Sequence, residues 1–173
     1  VGQGPGSFTG IRVAANMGKS FSYIYNKPLV TIDSLVLLAA AIATELPVLS
    51  IINAYKNMVY FGIFEPAKNP EPIYQQGPTA VPVQRLANMI TQDVVVVGDG
   101  FETYQKYLPE SLKIHLHRNS QFSDHPQAET LGLLAEKRVQ QNKTIEWNSF
   151  VPLYIRASEA EENKRGILIS PLK

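Results

Sequence analysis

His115 and His117 alternate along a β-rich stretch, "KIHLH", so both side chains project from one face and could share a metal ion. A catalytic zinc usually takes three protein ligands and keeps one position open. No third ligand stands at a recognisable spacing, and His125 sits before Pro126 in a helix-opening stretch. The pair therefore reads as surface histidines, and no metal is expected. "GKS" at residues 18–20 matches the end of the phosphate-binding pattern G-x-x-x-x-G-K-[ST], but Val13 stands where its first glycine belongs. The residues between have helical periodicity, so Gly18 reads as a close packing contact and Lys19 as an exposed neighbour. "GPGSFTG" at residues 4–10 is a better anion candidate, because a glycine-rich turn entering a helix presents unpaired amides. The same residues also suit a purely structural turn, with glycines free to take positive φ and Pro5 fixing the bend. "VVVVGDG" leaves a strand through Gly98 and Gly100, where a nucleotide could approach or where the chain simply turns.

Nothing else in the chain has the layout of a reaction centre. There are no cysteines, which excludes a thiol nucleophile, disulfides and cysteine-bound zinc. G-x-S-x-G, H-E-x-x-H and Ser-His-Asp arrangements are missing, and no cofactor is expected. Sixteen basic residues against fifteen acidic ones leave a net charge of +1 over 173 residues. That argues against binding nucleic acid mainly through charge. Hydrophobic residues make up 45% and charged ones 18%, as in a soluble globular protein. The longest apolar run, residues 35–43, is about half of the ~20 residues a membrane span requires.

The elements that would position these residues alternate in type. Ile11, Ala14, Ala15, Met17, Gly18, Phe21, Ile24 and Tyr25 recur at helical spacing, with Ser7 or Thr9 as the cap and Asn26-Lys27-Pro28 as the stop. "LVTI" reads as a short strand, and Asp33-Ser34 caps a buried apolar helix. Residues 48–52 and 58–64 form a hairpin around "NAYKN". The prolines of residues 65–72 suggest a linker, residues 73–76 a further short strand, and "TAVPVQRLANMI" a strand end entering a short helix. A buried strand at "VVVV", a helix over residues 101–108, the strand "KIHLH" and a helix opened by Pro126 follow. That last helix carries the stripe Ala128, Leu131, Leu134, Ala135 and Val139. "VPLYIR" is extended, "ASEAEENKRG" is a polar tail, and "ILISPLK" closes the chain. The mixture of hairpin and crossover links predicts an α/β fold with a mixed sheet.

Several of these segments, in order, resemble one family. "GPGSFTGIRVAANMGKSFSY" is similar to the G-P-G-S-F-T-G-[LIV]-R pattern of the bacterial TsaB (YeaZ) family, and "KPLVTIDSLVLLA", "SIINAYKNMVYFGIF", "VVVVGDG", "HPQAETLGLLA" and "PLYIR" follow in the family's order. The resemblance implies the actin-like ATPase fold, two lobes of ribonuclease-H type. It implies that the chain starts inside the first lobe, with residues 1–44 its remainder and residues 45–173 the second lobe. The family's hairpin usually reads Asp-Ala-Arg where this chain has Asn53-Ala54-Tyr55.

The implied role is a non-catalytic, cytoplasmic subunit in the synthesis of threonylcarbamoyladenosine on tRNA. Such a subunit dimerises with the metal-dependent TsaD-like transferase, is joined by an ATPase subunit, touches tRNA only through the complex, and forms homodimers when the partner is absent. The pairing surface falls on the helix over residues 9–25, with Phe8, Arg12, Ala15, Gly18 and Lys19 as contacts. The small residues Ala15 and Gly18 would admit a partner helix closely, or serve the chain's own packing. The competing reading is an actin-like-fold enzyme, a glycoprotease-like hydrolase or a kinase.

Overall fold

The computed structural model describes residues 1–66, 71–119 and 121–157. Residues 67–70 of the linker stretch and both tail segments from residue 158 onward lie outside them. At the centre is a five-stranded sheet in the order β3-β2-β1-β4-β5: β1 Val48–Asn53, β2 Met58–Phe64, β3 Tyr74–Pro82, β4 Val94–Val97 and β5 Leu116–His117. β1 to β3 form an antiparallel meander, whereas β4 and β5 add in parallel beside β1, so the sheet is mixed.

Both faces of this sheet are covered, which is why "VVVV" needs no polar alternation. Leu49 and Ile51 of β1 join Val59 and Phe61, Val94 and Val96, and Leu108 and Leu112 on one side. Val48, Phe64 and Val97 face the other way, against helix α2 (Ser34–Ala40) and Leu134 of α5 (Ala128–Gln140). Ile32, Leu35, Leu38 and Ile42 share one core with Val48, Phe64 and Val97 of the sheet. Ser50 is the polar residue in that layer, and its hydroxyl donates to the Leu35 carbonyl at 3.0 Å.

α1 (Phe8–Tyr25) lies outside the sheet and rests on a separate small cluster of Ala15, Leu29 and Phe150. Its start and stop follow the sequence. The Ser7 hydroxyl accepts from the Gly10 amide at 3.4 Å, and Asn26 takes the left-handed conformation, φ 48°, that ends the helix.

Other expected elements differ. "LVTI" forms no strand; Leu29 and Ile32 make single bridges to Ile145 and Gly2. "KIHLH" pairs only at Leu116–His117, because Lys113 ends helix α4 (Glu110–Lys113). β3 is one long strand rather than two pieces, followed by a 3₁₀ turn over Val83–Asn88. The helix expected over residues 101–108 begins earlier and stops sooner, as α3 (Asp99–Tyr104), with a 3₁₀ turn after it. On α5 the expected stripe is narrower, since Leu134 is buried while Ala128 and Val139 face solvent.

Candidate functional site

The opening loop joins distant parts of the chain. Gly4 has φ 100°, and a side chain there would meet the Leu153 carbonyl at 3.0 Å, so glycine is required. The Gly4 carbonyl accepts from the Ser34 amide at 2.8 Å, and the Gln3 carbonyl from the Leu153 amide at 2.8 Å. The loop thereby fixes the head of α1 against the start of α2 and the "PLYIR" segment.

α1 presents two apolar faces. Ala15, Gly18 and Ser22, three and four residues apart, are buried. A side chain at Gly18 would strike Val1 at 2.4 Å. These small residues pack closely within this chain, one of the two readings their sequence leaves open. Val13, Met17, Phe21 and Ile24 are spaced four, four and three apart on the opposite side and are 52%, 53%, 55% and 67% exposed. Sequence periodicity merged the two faces into one stripe. Of the other expected contacts, Phe8 and Arg12 are exposed and coupled: the Arg12 guanidinium lies 4.4 Å from the Phe8 ring centre and donates through Nε to the Tyr154 hydroxyl at 3.2 Å. Lys19 is half-buried, its Nζ 5.9 Å from the Phe150 ring centre.

A cleft of about 240 Å³ opens beside the head of α1. Its walls are Ser7, Phe8, Thr9 and Ile11, the hairpin tip from Asn53 to Lys56 with Tyr60, and the segment from Leu153 to Ala157. The tip is an unusual backbone: Tyr55, Lys56 and Asn57 have φ of 56°, 49° and 59° in succession. Each non-glycine residue in that region costs on the order of 1–2 kcal/mol, so surrounding contacts must hold it. Arg156 donates to the carbonyls of Ala54 and Tyr55, and Asn53 Oδ1 accepts from the Tyr55 amide at 2.8 Å and the Tyr104 hydroxyl at 3.1 Å. Asn53 thus does the accepting that a carboxylate would do at this position, without its charge.

Gly98 and Gly100 lie where the chain turns from β4 into α3. Side chains there would meet the Ile51 carbonyl at 2.1 Å and the Ile51 side chain at 2.9 Å, so these glycines let α3 close on β1. The Gly98 amide donates to Asp124 Oδ1 at 2.9 Å, and Arg118 Nη1 donates to the same oxygen at 3.0 Å. Burial pushes the Asp124 carboxyl upward, but Arg118 and the Gly98 amide outweigh it and hold it below the usual carboxylate range.

The histidine pair is engaged by a residue that sequence spacing did not connect to it. Asp93 accepts from His115 Nδ1 at 2.8 Å and lies 3.2 Å from His117 Nε2, and these contacts lower its carboxyl pKa. Among the described residues no group of three or more His, Cys, Asp or Glu is arranged to hold a metal ion. Nor is any helix among them long and apolar enough to cross a membrane.

A family model described as "TsaD: tRNA N6-adenosine threonylcarbamoyltransferase" matches residues 1–164. Two solved structures from Pseudomonas aeruginosa are similar in fold. One, an uncharacterized protein with similarity to peptidase YEAZ, aligns at TM-score 0.74 and 25% identity over 90% of this chain and 71% of its own. The other, YeaZ, aligns at TM-score 0.73 and 24% identity over 88% of this chain and 72% of its own. No protein of curated function matches the chain. The order and spacing of its segments, the mixed sheet and these alignments agree: the chain belongs to the TsaD family, as a TsaB (YeaZ)-like member with that family's actin-like, ribonuclease-H-like α/β fold.

Proposed function

We propose that this chain is a docking subunit in the modification of tRNA to threonylcarbamoyladenosine. It binds the catalytic transferase subunit through α1 and supports its activity without carrying the transfer chemistry. The observation that carries this reading is the row Val13, Met17, Phe21 and Ile24 on an 18-residue helix. Isolated surface apolar residues are ordinary, but a continuous row along one helix face marks an interaction site. Fully burying such a side chain is worth roughly 1.5–3 kcal/mol, so covering the exposed half of each contributes about 1 kcal/mol. Four such gains supply a useful part of a helix–helix interface. Family membership supports the pathway, and an ATPase subunit is the further partner proposed.

The test is reconstitution. Transfer of the threonylcarbamoyl group to tRNA is measured with the catalytic subunit alone, with this chain alone and with both, the ATPase subunit present throughout. Transfer that requires both proteins is the expected result. Transfer by this chain alone would favour the enzyme reading instead.

A further inference from the structure

α1 belongs to neither of the cores packed on the sheet: among the described residues, no side chain from Phe8 to Tyr25 enters them. What lies across the helix is the segment from residue 145 to residue 156. Phe8, Arg12, Lys19 and Tyr23 are spaced four, seven and four apart and so share one line of α1. The segment meets that line in reverse order. Trp147 packs edge-on against Tyr23 with ring centres 5.2 Å apart, the Phe150 ring faces Lys19, and Tyr154 packs against Phe8 at 5.6 Å while accepting from Arg12. None of these residues belongs to the exposed row of Val13, Met17, Phe21 and Ile24. Both ends of the segment are fastened to the body. Ile145 and Leu29 exchange backbone hydrogen bonds of 2.8 and 3.0 Å, and Arg156 donates to the carbonyls of Ala54 and Tyr55. The buried cluster beneath α1 is small, and one of its members, Phe150, comes from the segment itself.

An element with few buried apolar contacts opens at lower free energy than the core and does so as a unit. We propose that residues 145–156 are a strap that holds α1 in its docking position, and that α1 detaches from the body when the strap's aromatic contacts open, while the sheet stays folded. The closed strap fixes the direction in which the exposed row points. A partner that fits this orientation binds the closed form, so its apparent affinity falls with the closed fraction. The functional half of this proposal rests on docking through α1; the strap itself is a property of the free chain.

The experiment is hydrogen exchange with mass spectrometry on the free chain, comparing the parent with Trp147→Ala and Tyr154→Ala. These side chains are 37% and 42% exposed, so their loss leaves the cores intact, and circular dichroism melting verifies the fold. The control is Tyr107→Ala, 40% exposed in the 3₁₀ turn after α3. The expected result is exchange at least tenfold faster over α1 in both strap variants, with β1 and β2 unchanged and the control like the parent. Unchanged protection of α1 in either strap variant would overturn the proposal. So would α1 and the sheet losing protection together, or equal loosening of α1 by Tyr107→Ala. Sedimentation velocity with the catalytic subunit then reads the functional half: association should weaken at least threefold in both strap variants. Association equal to the parent's, with α1 loosened, would overturn the strap's part in docking. A parent that does not associate at all would sink docking through α1 instead, and the exchange result would still decide the strap.

Discussion

Replacing Phe21 by Glu separates the two faces of α1. Phe21 is 55% exposed, and its ring contacts Tyr25 at a centroid distance of 6.3 Å. In the free chain the new carboxylate stays in water, so stability should change by no more than about 0.5 kcal/mol, a midpoint shift of roughly 1–2 °C. In a complex that covers this face, about 1 kcal/mol of apolar burial is lost and a charge is placed against an apolar partner, for a combined cost of about 2–4 kcal/mol. Association with the catalytic subunit should therefore weaken by about 30- to 1,000-fold, since ~1.4 kcal/mol is a factor of ten. Gly18→Leu is the opposite case. Its side chain would enter the space held by Val1, 2.4 Å from the added carbon, and overpacking of this kind costs about 1–3 kcal/mol of folding stability. Sedimentation velocity with the partner and thermal melting of the free chain measure the two effects. The reasoning is refuted if Phe21→Glu leaves association intact, or if it lowers the melting midpoint as much as Gly18→Leu does.

Gly98→Ala should destabilise the fold by about 3 kcal/mol or more, because φ is 113° and the added carbon would sit 2.1 Å from the Ile51 carbonyl; chemical denaturation showing a smaller loss would contradict the tight α3–β1 approach. The pH dependence of Asp33 has a definite sign. Asp33 is 7% exposed, and burial raises its pKa against the pull of Tyr74, which donates to it at 2.9 Å, and of the Leu35 amide at 2.7 Å. The folded chain therefore holds this proton more tightly than the unfolded chain. Asp33's contribution is most favourable below its unfolded pKa of about 3.9 and is lost as pH rises through its higher folded pKa. Asp33→Asn retains a capping oxygen, so the stability of the parent relative to this variant should fall across that window in urea titrations and stay level above it. A constant or rising difference would show that the carboxyl is not raised.

The hairpin, its five-residue turn, the strand at "VVVV" and both ends of α1 were legible because each rests on a local rule: alternation, an apolar run, a hydroxyl cap, a left-handed asparagine. Residues 29–32 were misread as a strand because β propensity measures fit to a pleated surface, and here the segment finds only single bridges on either side. The close approach of Gly98 and Gly100 to β1 was not legible because a Gly-x-Gly turn serves phosphate or a close backbone equally well, and Ile51 is set by residues far away in sequence. On α1 the apolar residues run almost all round, so periodicity could not say which side was inward. Ala15 and Gly18 face the chain because Val1, Leu29 and Phe150 are there, contacts set by residues far away in sequence. The cleft was invisible for the same reason, since its walls come from three segments separated by more than 140 residues at the extremes.

The most direct test is a photo-crosslinking residue placed at Met17 on α1, with a control at Leu133, which is similarly exposed on α5. Each protein is mixed with the catalytic subunit, irradiated and resolved by mass. The expected result is a crosslinked heterodimer from position 17 and none from position 133. Crosslinking from position 133 alone, or from neither position in a mixture that sediments as a complex, would contradict docking through α1.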